Sequence, residues 1–103
     1  MNDKSFGKDL RFLMRKLLLG YRKYFTKSGV LNSDGRRLLE EILRFLVYEH
    51  PEYRDLAYKV RREPTLENIV KVAELFMERD EIEELISLGI YGPYIYHLQE
   101  TER

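Results

Sequence analysis

The stretch GIYGPYIYHL, Gly89 to Leu98, gathers groups able to move a proton or line a ligand: Tyr91, Tyr94, Tyr96 and His97. An imidazole titrates near neutral pH, so His97 would serve as acid or base with phenols around a bound molecule. Packing explains the same residues. A tyrosine buries its ring and keeps its hydroxyl wet, so Tyr94, Ile95 and Leu98 would lie on a core. A third alternative is an arm that follows the Gly-Pro pair and docks on a second subunit. The chain has two histidines, His50 and His97, and neither sits in a Ser or Asp motif of a nucleophilic triad. The absence of Cys excludes a disulfide scaffold, a thiolate metal site and a Cys nucleophile. His50 precedes Pro51, where ending a helix is a simpler role than ligating a metal. No catalytic, cofactor-binding or metal-ligating residue is assigned.

Glu74, Glu78, Asp80, Glu81, Glu83 and Glu84 crowd the run ELFMERDEIEEL. Paired carboxylates hold Mg2+ in some sites. A capped, solvated helix junction accounts for them more simply, and the glycine and ordered ligand series of a calcium loop are missing.

The first helix carries the most specific signal. Phe6, Leu10, Leu13, Met14, Leu17, Leu18, Tyr21, Tyr24 and Phe25 recur at helical spacing. At about 100° per residue, Lys4, Lys8, Arg11, Arg15 and Arg22 form a cationic stripe. Phe12 and Leu19 lie beside that stripe, off the main apolar face, with Lys16, Lys23 and Lys27 beyond them. Apolar groups framed by cations suit a contact surface. Phosphates, anionic lipid or an acidic protein surface, including another copy, would each fit. The alternative is that Phe12 and Leu19 pack beneath later segments of the same chain.

The totals conceal this asymmetry. Acidic and basic residues number 18 each, yet residues 1–27 hold eight basic and two acidic residues. A basic front therefore precedes an acidic remainder. The four Asn and Gln residues, against abundant Lys, Arg and Glu, give a composition of the kind heat-adapted proteins show. At 103 residues the chain is expected to form one domain, 1–103, with a single core. No apolar run reaches membrane-spanning length. Arg15 and Lys16 interrupt the first apolar stretch, which argues against a secretory signal.

The remaining elements follow from their caps and breaks. The first helix is predicted over Ser5 to Thr26, with TKSGVLNS as a loop. Ser33 is expected to cap a second helix, Asp34 to Glu49, apolar around more than half its circumference and so central. A third opens at Pro51 and ends before Pro64. Thr65 caps a fourth, with Ile69 and Phe76 inward. A capping box at Asp80–Glu83 marks a break and a fifth helix ending at a left-handed Gly89; an unbroken helix from Leu66 to Leu88 is the competing assignment. Pro93 restarts a sixth helix to Glu100. The fold class is all-α: a compact bundle of five to six helices with a central second helix, the first and fourth along it. Leu38, Ile42, Phe45, Leu46, Ile69 and Phe76 are the expected core.

Residues 21–46, YRKYFTKSGVLNSDGRRLLEEILRFL, resemble a group of small proteins encoded by tailed bacteriophages. Tyr21, Arg22 and Phe25 match a Tyr-Arg-x-x-Phe segment; Asp34, Gly35, Arg36, Leu38, Leu39, Leu43 and Phe45 match the Leu-rich helix after it. LAYKVRREPTLENIVKV is loosely similar to the next block, but the glycine of that pattern is missing and Pro64-Thr65 is present. The resemblance spans about half the chain. It implies an accessory or virion-associated role, a cytoplasmic or virion location, and no catalytic residues.

These observations lead to the expectation of a non-enzymatic interaction or structural module that self-associates or binds a protein. The expected contact residues are Phe12, Leu19, Lys8, Arg11, Arg15, Arg22, Tyr91, Tyr94 and Tyr96. The alternative is a nucleic-acid-binding protein using the basic face of the first helix; no phosphate loop, zinc-finger spacing or RNA-binding signature accompanies it. A membrane surface ranks below both.

Overall fold

The computed structural model describes the backbone of residues 7–102 and the side chains of residues 7–92. Among the described residues the apolar spacing folds as six α-helices: α1 (Lys8–Leu19), α2 (Tyr21–Tyr24), α3 (Ser33–Glu49), α4 (Arg54–Arg62), α5 (Leu66–Ala73) and α6 (Arg79–Glu102). A 3-10 turn, Pro51–Tyr53, leads into α4. Two isolated antiparallel bridges, Phe25 with Leu31 and Val30 with Thr65, are the only β pairing among the described residues. The architecture is an all-α bundle.

The expected first helix breaks at Gly20. That residue leaves helical geometry at φ −90°, ψ 31°, and Phe25 turns extended at φ −112°, ψ 146°. The reversal brings the Asn32 N–H to the Tyr24 carbonyl at 2.8 Å and the Thr26 N–H to the Val30 carbonyl at 2.8 Å. Tyr24 and Phe25 enter the core at this corner instead of extending the stripe of α1. Gly29 supplies the positive φ of 82° that the loop requires.

Asn32, and not Ser33, caps α3. Its Oδ1 accepts the Gly35 N–H at 2.9 Å, while its Nδ2 donates to the Lys23 carbonyl at 2.8 Å. An amide offers an acceptor and donors together, so one side chain starts α3 and fixes α2 against it. Thr65 caps α5 as expected, accepting the Asn68 N–H at 3.2 Å.

Leu38, Leu39, Ile42, Leu43 and Leu46 bury one face of α3, which packs against α1, α2 and α4. α3 is thus central, with α1 along it. α5 packs mainly against α4, and the second large neighbour of α1 is α6. Among the expected core residues, Phe45 is the exception at 38% exposed. It lies on the flank of α3 opposite the Glu40 side that α4 covers through Arg61.

The break expected near Asp80 is present, but α6 starts one residue earlier, so Asp80 lies in its first turn. The helix then runs through both Gly89 and Pro93. Gly89 is no left-handed terminator. A Cβ built on it would lie 2.5 Å from the Leu18 carbonyl oxygen and 2.9 Å from that of Leu19. Glycine at this position allows α6 to cross the end of α1 in backbone contact, a demand that sequence spacing does not reveal.

Candidate interaction face on the first and last helices

The buried side of α1 comprises Leu10, Met14, Leu17 and Leu18. Opposite them, at i, i+4, i+7 and i+11, stand Lys8, Phe12, Arg15 and Leu19. Phe12 is 66% exposed and Leu19 47% exposed, so neither is covered by later segments among the described residues. Lys8 and Arg11 are exposed beside them, as are Lys16 and Lys23 toward α3.

Two cations of the stripe are directed inward along the chain. Arg15 binds Glu81 Oε2 through Nη2 at 2.9 Å and Nε at 3.1 Å. Arg22 Nη1 donates to the Ile90 carbonyl at 3.3 Å. Both contacts join the α1–α2 segment to α6 and fix the two helices as a parallel pair. They leave Lys8 and Arg11 as the exposed cations at the start of α1.

α6 completes the face. Leu88 is exposed and shares a shallow depression of about 610 Å3 with Leu19, Arg22, Lys23 and Gly92. Tyr91 is 55% exposed one turn further on. Lys4 and the side chains of Tyr94, Tyr96 and His97 lie outside the described residues. Of the residues expected at the contact surface, the structure therefore brings Phe12, Leu19 and Tyr91 to exposed positions on neighbouring helices. Leu88 was missed in the sequence because a helix ending at Gly89 gives it no partner one turn on. Tyr48 was missed too, and Phe45 was expected in the core. They border a second open depression of about 410 Å3 with Glu41 and Arg44 on α3, and their i, i+3 spacing opposite Leu43 and Leu46 was the available signal.

His50 lies at the C-terminal end of α3 with Nδ1 3.8 Å from Glu52 Oε2 and its ring tilted against Tyr53. Two carboxylates of the acidic run are paired: Glu81 with Arg15, and Glu74 with Arg79 at 2.8 Å. No group of three or more potential ligands for a metal ion occurs among the described residues. No described helix is long and apolar enough to cross a membrane. No protein family, curated relative or solved structure matches the chain.

Proposed function

We propose that this chain is a small non-enzymatic interaction module that docks on protein through the outer face of α1 and the adjoining stripe of α6. The observation that carries this is the exposure of Phe12, 66% open to solvent on a helix whose other face is fully buried. Leu19, Leu88 and Tyr91 extend the apolar area onto α6. Covering such groups is favourable by about 25 cal/mol per Å2 of apolar surface removed from water. The flanking cations set orientation and partner choice more than strength. The likeness of residues 21–46 to small phage proteins favours an accessory or virion-associated setting.

A photo-crosslinking residue at position 12 tests this in cells expressing the protein, beside the same residue at exposed Lys71 on α5. Discrete protein adducts from position 12 and none from position 71 are expected. Adducts to nucleic acid, or equal yields at both positions, overturn the proposal.

A further inference from the structure

The parallel pairing of α1 and α6 sets their side chains level by level. Arg15 meets Glu81, the backbone of Leu18 and Leu19 meets Gly89, and Arg22 meets Ile90. At the N-terminal end of this pair, α1 presents Lys8 and Arg11 with Phe12 beside them, while α6 presents Asp80 and Glu84, all exposed. At the other end both helices are apolar: Leu19 on α1, Leu88 and Tyr91 on α6. Leu19 and Leu88 border one depression, so the two stripes open on the same side of the molecule. The face is thus divided lengthwise into a basic half and an acidic half, with matching apolar ends.

Such a face is complementary to itself in one orientation. A two-fold axis lying in the contact plane, parallel to the helices and midway between them, carries α1 of one copy over α6 of the other at the same level. Cations then oppose carboxylates, and Leu19 opposes Leu88. A two-fold axis at right angles to the helices would instead set α1 antiparallel on α1 and α6 antiparallel on α6, so that the charged end of each stripe lies over an apolar end and neither charge nor apolar surface finds its match. An isologous contact requires one patch to satisfy both roles, and this one does.

We infer that the occupant of the α1 face is a second copy of this chain, each α1 lying along the partner's α6. The inference rests on the docking role of α1 and adds the partner and its orientation. Charge exchange tests it in the full chain by sedimentation. One variant carries Lys8→Glu and Arg11→Glu, so both halves of its face are acidic. The other carries Asp80→Lys and Glu84→Lys, so both halves are basic. Each alone is expected to be monomeric at concentrations where the wild type is dimeric, and an equimolar mixture to restore a dimer containing one of each. Self-association of either variant alone, or a mixture that stays monomeric, overturns the arrangement. Should Phe12→Ser with Leu19→Ser abolish wild-type association while the mixture remains monomeric, the docking role of α1 stands and this orientation falls. A wild type that is monomeric at high concentration removes the second copy, and the crosslinking from position 12 then decides the docking role by itself.

Discussion

Arg15 places Nη2 2.9 Å and Nε 3.1 Å from the same oxygen of Glu81, 66 residues away in the chain. This is the contact that turns a stripe of cations on one helix into part of a two-helix face. It is a surface pair, with the arginine side chain 56% exposed, so its value is modest. A double-mutant cycle with Arg15→Met and Glu81→Gln should give a coupling of about 0.2–1 kcal/mol, falling as salt rises. Denaturant melts of the four chains at low and high salt measure it.

The two glycines of α6 should respond with opposite sign to the same change. Gly89→Ala forces a Cβ against the Leu18 carbonyl oxygen and should destabilise by about 1–3 kcal/mol. At Gly92 a Cβ meets nothing within 4 Å, so Gly92→Ala should stabilise by about 0.5–1 kcal/mol through helix propensity. Thermal unfolding of both variants checks the pair; destabilisation of equal size at both would deny the close crossing of α1 and α6.

Asn32 allows its two bonds to be separated. Asn32→Ala removes the cap on Gly35 and the donor to the Lys23 carbonyl, and should cost about 1–2 kcal/mol. Asn32→Ser keeps an acceptor for Gly35 and loses only the donor to the Lys23 carbonyl, so its cost should be smaller, about 0.5–1.5 kcal/mol. Chemical denaturation at neutral pH ranks the two.

Leu43 and Phe45, two residues apart on α3, distinguish core from flank. Leu43 is fully buried, and Leu43→Ala should cost about 2–5 kcal/mol. Phe45 is 38% exposed, and Phe45→Ala should cost roughly 1 kcal/mol, because part of its ring is already in water. Urea midpoints compare them directly.

The elements that depend on local chemistry were legible in the sequence. Thr65 caps α5 where its hydroxyl and the apolar run after it say it should, and Pro51 and Pro64 bound the third helical segment. Phe12 stood out because it departs from the α1 period. What escaped depends on distant neighbours. Gly89 carries the same signal whether it ends a helix or lets one helix touch another, and only the carbonyls of Leu18 and Leu19 decide. Phe45 lies within a helix so apolar that the pattern alone does not say which flank remains open. Arg15 and Arg22 look like free cations until Glu81 and the Ile90 carbonyl are placed beside them. Asn32 and Ser33 are both good caps, and the choice turns on the Lys23 carbonyl, which only the corner after Gly20 brings within reach.

The measurement that tests the account most directly is the concentration dependence of sedimentation for the wild type beside Phe12→Ser with Leu19→Ser. The account predicts that the wild type associates on concentration, and that the variant keeps its helical circular dichroism but stays monomeric. Superimposable curves for the two folded proteins would contradict it.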